Sequence, residues 1–266
     1  MILNLYLQEL RLFIRNFTEW AILFLVFTVF FFTFGLKEVI VADRVFSLPL
    51  PSNPSFAAEL FNYMTLDLIP EGVTLVVTSP LTAFVVQVKM ALLLAFIFTL
   101  PFFLYRLIQY LSPALYAREK IATLKVVAPS ALLFLIGARF SYTVIIPPTF
   151  AVLYSYSGAI GATPFFTANE FAGLVLALIV ASGIMFLMPV CMILLSRLGV
   201  VSPDFWKSQW RYAILLFLIT SAIITPDGSG VTMMLLSAPM AGLYGIGYIV
   251  SRKLGAAPAM VEVPSP

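Results

Sequence analysis

Charged residues are spaced so widely along this chain that they leave long uncharged runs: Trp20–Leu36, Met90–Tyr105, Val126–Ala138, Phe140–Asn169, Phe171–Ser196, Tyr212–Pro226 and Gly228–Ser251. A helix crossing a bilayer needs roughly 20 mainly apolar residues. Six such helices fit if Lys89 stands inside the second and Arg139 near the end of the third, where long basic side chains reach the interface. The expected spans are about 17–36, 82–107, 124–146, 170–195, 212–226 and 229–250. The fifth, at about 15 residues, rises only about 22 Å and falls short of a ~30 Å hydrocarbon core. Prolines fall in or beside the spans at Pro101, Pro147-Pro148, Pro189 and Pro239. Each removes a backbone donor and can bend its helix. The fold class expected is therefore an all-α polytopic membrane protein, a kinked and concave six-helix bundle in which helices 5 and 6 are short.

Between the first two spans lies the longest stretch expected outside the membrane, about 37–81, on the outer face. Asn53-Pro54 reads as an N-cap followed by proline at the first helical position, and Phe56, Leu60 and Met64 then recur at helical spacing. An amphipathic helix lying on the outer surface is expected there, with the β-branched stretch Val73–Thr78 extended. Ser202-Pro203-Asp204 opens a second short helix, with Trp206 and Trp210 as interface anchors. The first apolar run is bulky and Phe-rich, and Ile40-Val41-Ala42 is a feeble cleavage match, so it is kept as helix 1 rather than a signal peptide. Residues 1–254 are expected to form one membrane domain and 255–266 a disordered tail.

Composition agrees with lipid as the surrounding solvent. Apolar residues make up 62% of the 266 and charged residues 10%, against roughly 25% charged in a soluble domain. Of 15 Lys and Arg, 11 fall on one side of the expected spans: Arg11, Arg15, Arg106, Arg118, Lys120, Lys125, Arg197, Lys207, Arg211, Arg252 and Lys253. The positive-inside bias then places both termini in the cytoplasm. It also accounts for the basic isoelectric point without a nucleic-acid partner.

The inventory for catalysis is thin. There is no His and a single cysteine, Cys191, so a histidine base, a disulfide within the chain and a cysteine zinc site are excluded. No G-x-x-x-x-G-K-[ST] loop occurs, so nucleotide-driven transport would need another chain. Glu170 suits the start of helix 4, after Thr167 or Asn169 as cap. Asp227 suits a tight outer turn. Cys191 reads as a packing residue, and Ala238, Ala241, Gly242, Gly245 and Gly247 as a small-residue stripe for close helix approach. Lys89, Pro189 and Asp227 are candidates for partner or intramembrane contact. A small-molecule transporter or channel, the alternative class, calls for inverted repeats and convergent intramembrane polar groups; neither is evident.

Several segments occur together in a telling order. Tyr6-Leu7-Gln8-Glu9-Leu10-Arg11 is close to H-L-x-E-L-R, and Ser79-Pro80 to S-P-x-E. Pro101–Tyr105 is followed by Pro113-Ala114-Leu115-Tyr116-Ala117-Arg118-Glu119-Lys120, close to E-P-A-L-Y-x-x-E-K. Gly137–Tyr142 with Pro147, Phe186-Leu187-Met188-Pro189 against F-E-x-P, Leu198–Pro203, Arg211-Tyr212, Thr225-Pro226-Asp227 and Ala238-Pro239 with Leu243-Tyr244 complete the set. From about residue 4 to 254 the chain resembles the TatC family, the polytopic core of the twin-arginine protein translocase.

That resemblance implies a receptor for twin-arginine signal peptides at the cytoplasmic face, working with single-span TatA- and TatB-type proteins and with other copies of itself. The implied task is to export folded proteins with the proton-motive force. It implies neither cofactor nor metal, and no enzymatic activity. The residues it assigns to signal-peptide binding are Glu9, Leu10, Arg11, Pro113, Leu115, Tyr116 and Glu119. The chain departs from the family where acids are usual, at Thr82, Ser112, Leu187 and Gly245. Glu9 and Glu119 are then the cytoplasmic acids nearest the matched motifs.

Overall fold

The computed structural model describes residues 2–41, 44–69, 73–111, 120–159, 165–197, 199–225 and 230–254. The expected tail, 255–266, lies outside them. In chain order the elements are α1 (Ile2–Thr33), β1 (Phe34–Val41), β2 (Arg44–Pro51), α2 (Phe56–Leu68), β3 (Thr74–Val76), α3 (Pro80–Leu111) and α4 (Lys120–Phe140). A π-helical turn (Ser141–Ile145) leads into α5 (Ile146–Ala159), then β4 (Phe165–Thr167), α6 (Ala168–Phe186), α7 (Met188–Arg197), α8 (Pro203–Ser208), α9 (Trp210–Ile224) and α10 (Val231–Leu254).

Four stretches among the described residues are long and apolar enough to cross a bilayer: Pro80–Ile108, Val126–Ser157, Ala168–Arg197 and Val231–Lys253. Phe17–Thr33 and Trp210–Ile224 are shorter apolar helices. Apolar helices lie at all six expected places, four of them long enough to cross and two shorter, and α9 has the expected 15 residues. The sixth is not short: α10 runs 24 residues. Outward faces carry apolar side chains that water would not tolerate in such number, among them Leu25, Val26 and Val29 on α1 and Leu215, Leu216, Ile219 and Ile223 on α9, the last 79% exposed. Lipid is the solvent that accepts these faces.

The prolines act less uniformly than expected. Pro101, Pro129 and Pro239 sit inside α3, α4 and α10 without ending them. At Pro147-Pro148 the third span does not stop near 146. A π-helical turn precedes the prolines, the Ile146 N–H reaches Ser141 O, and the helix continues to Ala159. Widening one turn absorbs the lost donors. The fourth span does break, at Leu187. The N–H of Leu187 bonds Ile184 O at 3.0 Å, and α7 restarts with Pro189 in its first turn, where its missing donor costs nothing.

Close approach of the helices depends on particular glycines. A Cβ at Gly137 would meet the Phe186 side chain at 2.7 Å, and one at Gly183 would enter the Phe134 ring. Ser182 Oγ donates to Gly137 O at 3.0 Å across the same α4–α6 seam. On α10 only part of the small-residue stripe has this role. Gly247 faces Met192 and Pro189 of α7, whereas Gly242 and Gly245 have nothing within 4 Å of an added Cβ. Cys191, expected to pack, is exposed, because the packed face of α7 is the one bearing Pro189 and Met192. Gly199 has a φ of 71° just after α7, with Val200 N–H returning to Leu195 O. That left-handed residue closes the helix as glycine does best.

At the outer end two small sheets and α2 form a cap. β1 pairs antiparallel with β2 in a register from Phe34 opposite Pro51 to Val41 opposite Arg44. This hairpin was not anticipated. β3 falls inside the stretch expected to be extended and pairs in parallel with β4. α2 starts two residues later than the Asn53-Pro54 signal suggested, because Ser55 Oγ accepts the Ala58 N–H at 3.4 Å and takes the N-cap. Its inward face is the expected one: Met64 and Leu68 are buried, and Phe61 meets the fully buried Phe171 edge-on at 5.8 Å. An open groove of about 670 Å³ lies between α2, β1–β2, α1 and α3, lined by apolar and aromatic side chains, five of them phenylalanines, with Glu59 among them.

Candidate functional site

The basic end of the bundle is where the sequence places the candidate site; two pairs of elements shape that end, and a third holds the opposite one. α1 and α3 run alongside one another, joined by Trp20 on Phe103 with ring centroids 4.7 Å apart and by Phe31 on Phe98 at 5.1 Å. One turn beyond Phe103, Arg106 of α3 reaches across to α1 and donates through Nη2 to Glu19 Oε2. Its guanidinium also lies over the Phe102 ring, 5.1 Å from the centroid. Arg15, one turn before Glu19, brings its Nε within 3.9 Å of Oε1. These are the ion pairs among the described residues. Arg106 Nε and Trp20 Nε1 are buried beside them without acceptors.

The second pair is α7 and α10, tied through α8. Ser202 caps α8 as expected, accepting the Phe205 N–H at 3.3 Å. Trp206 Nε1 donates to Ser196 Oγ at 2.9 Å, and Tyr244 Oη of α10 donates to Trp206 O. Trp206 is thus a joint between helices more than a free anchor. Trp210 is exposed, with the Arg211 guanidinium 5.6 Å over its ring. Such aromatic–arginine arrangements suit the headgroup layer.

The third pair, at the far end, is α3 with α6. Lys89 Nζ donates to Asn169 Oδ1 at 2.7 Å and to Asn169 O at 3.0 Å. Gly173 leaves just enough room, since a Cβ there would stand 3.0 Å from Nζ. Thr167 and Glu170 form a reciprocal capping box at the start of α6, so Glu170 has the capping role expected and Thr167, not Asn169, is the cap. Asp67 of α2 accepts from Tyr142 Oη at 2.6 Å, and Arg139 stacks on that same ring.

The sequence-derived candidates divide accordingly. Glu9, Leu10 and Arg11 lie on α1 before its apolar part; the backbone is described there but the side chains are not. Pro113, Leu115, Tyr116, Glu119 and Asp227 lie outside the described residues. α3 ends at Leu111 and α4 begins at Lys120, at the same basic end as Glu19 and Arg106. Lys89 is nine residues into α3 from the opposite end, about 14 Å of helix, and Pro189 is buried against Gly247. Neither joins the basic-end group. Glu19 was not singled out in the sequence, because it belongs to none of the motifs. The signal that marks it is a lone acid directly before an uncharged run, one turn after Arg15.

The family model described as "Sec-independent protein translocase protein (TatC)" matches residues 6–239. The chain belongs to the TatC family. It is 35% identical over 227 residues to the Sec-independent protein translocase protein TatC of Cenarchaeum symbiosum, covering 85% of this chain and 86% of that one. With the TatC of Aquifex aeolicus the identity is 32% over 198 residues, covering 74% and 81%. Two crystal structures of twin-arginine translocase receptor TatC superpose with TM-scores of 0.72 and 0.73 at 28% identity. They cover 92% and 91% of this chain, and 99% of theirs in both cases. This is a multi-pass membrane protein of a protein-transport family, built as a helical bundle with two small two-stranded sheets at one end.

Proposed function

We propose that this chain is the receptor subunit of a twin-arginine translocase. It captures twin-arginine signal peptides at the basic, cytoplasmic end of the bundle and assembles with TatA- and TatB-type single-span proteins. Together they export folded cargo with the proton-motive force, and the chain catalyses no covalent reaction. The supporting observation is the fit over nearly the whole of both chains to solved twin-arginine translocase receptors. Membership from residue 6 to 239 in the TatC family points the same way.

The chemistry of the basic end suits this task. A twin-arginine motif offers two planar guanidinium groups, each of which a carboxylate can bind through two parallel hydrogen bonds. The binding set is Glu9, Leu10, Arg11, Pro113, Leu115, Tyr116 and Glu119, with Glu9 and Glu119 supplying the negative charge. The surrounding Arg and Lys side chains keep the end at the phosphate layer and make those acids the places where an arginine finds a partner.

Two measurements test this reading. Cells lacking their own TatC component, given this chain together with its TatA- and TatB-type partners, should recover export of a folded reporter bearing a twin-arginine signal. Crosslinking of a twin-arginine peptide should weaken in Glu9→Ala and Glu119→Ala and fall furthest in the double variant. Undiminished crosslinking in the double variant removes these residues from the site.

A further inference from the structure

Glu19 stands outside the motifs that carry the family match, yet two arginines converge on it. Among the described residues Oε2 accepts from Arg106, while Oε1 has Arg15 Nε at 3.9 Å, too far for a hydrogen bond. The Glu19 side chain is 41% exposed and that of Arg106 27%. On the other partner, Arg106 Nε is buried and lacks an acceptor. A guanidinium presents five donors in a fixed fork and binds a carboxylate best through two of them. Among the described residues one donor is engaged, a second is unsatisfied, and one carboxylate oxygen has no hydrogen bond. The pair stops short of its strongest geometry at a half-exposed place on the inner rim.

We infer that Glu19 is a further acceptor for a guanidinium of the signal peptide, and that Arg106 occupies it while no peptide is bound. The inference rests on the signal-peptide reading above. An incoming arginine takes the open Oε1 and then Oε2, making the two-bond contact that Arg106 does not make. Arg106 gives up its single bond and remains over Phe102, with its charge turned to the phosphate layer. One cation replaces another, so the part-exposed Glu19 keeps a charged partner throughout. The site favours arginine over lysine, because an ammonium cannot reproduce the planar fork.

The test uses the full chain in nanodiscs and two labelled peptides, one with the Arg-Arg pair and one with Lys-Lys in its place. Glu19→Gln should weaken Arg-Arg capture by about tenfold or more, as expected for losing a hydrogen bond to a charged group, and should narrow the Arg-Arg over Lys-Lys preference. Arg106→Gln should act in the opposite direction and tighten capture, since the resident competitor is gone. In the double variant, affinity should match Glu19→Gln alone, because removing Arg106 helps only when Glu19 is present. Should Glu19→Gln not fold, Glu19→Asp, which withdraws the charge by one methylene, should lose affinity at unchanged melting temperature. Arg106→Gln and Glu19→Gln weakening capture alike would overturn the inference and leave a structural pair. Absence of Arg-Arg capture by the unaltered chain would instead overturn the signal-peptide reading, and this inference with it.

Discussion

At the outer end of the bundle, Lys89 gives two hydrogen bonds to Asn169, and Thr167 and Glu170 close on one another. At the inner end, Glu19 and Arg106 meet as two flexible side chains, and each keeps an unused hydrogen-bonding position. In the first case a charge near the apolar interior ends on a backbone carbonyl, a fixed amide or the first turn of a helix. The capping pair cannot let go without freeing the first turn of α6, and Lys89 is held by two acceptors at once. In the second, a partner can be exchanged without touching the backbone. Polar groups bonded to helix ends and backbone hold the outer end together, whereas the side-chain pair at the inner end is suited to handling a ligand.

The comparison breaks most visibly if helix packing is disturbed. Gly183→Leu drives a side chain into the fully buried Phe134. It should lower stability by about 1–3 kcal/mol or prevent assembly altogether, as read by thermal unfolding in detergent. Unchanged melting would mean that the α4–α6 seam is looser than described. Lys89→Met comes next. It strands the Asn169 acceptors in a partly buried place and should cost about 1–3 kcal/mol, with peptide affinity unaltered in the folded fraction. Glu19→Gln should do the reverse, changing affinity while shifting stability by less than about 1 kcal/mol, as usual for a part-exposed ion pair. If both variants moved stability and affinity together, the division between the two ends would be wrong. Thr167→Ala should cost about 1 kcal/mol through the lost cap of α6, measurable as faster amide exchange in its first turn. The smallest effect sharpens the account of α10: Gly245→Ala should be silent in melting, while Gly247→Ala, against Met192 and Pro189, should not be.

Much of this was legible in the sequence, and the reasons differ by residue. The six spans follow from uncharged runs, since a bilayer enforces apolarity over a fixed length. The face of α2 follows from spacing, and the roles of Ser202 and Glu170 from local capping chemistry. The hairpin β1–β2 escaped because Lys37 and Glu38 interrupt its first strand and Pro49 and Pro51 its second, so neither shows the strict apolar–polar alternation that marks a strand. Continuation of the third helix past Pro147-Pro148 escaped because a proline's effect depends on whether the preceding turn can widen. Motif comparison gave Glu9 and Glu119 but passed over Glu19, whose significance lies in facing Arg106, 87 positions away.

Sequence alone therefore determined which solvent surrounds the chain, where its apolar helices lie, which end is basic and which family it resembles. Those properties depend on composition and on local order, both written along one dimension. Only the tertiary structure decided which glycines are closely packed, which prolines break their helices, and which charges are structural or exchangeable. Those depend on what stands opposite a residue across a helix interface, and in a bundle the opposite residue comes from a distant part of the chain.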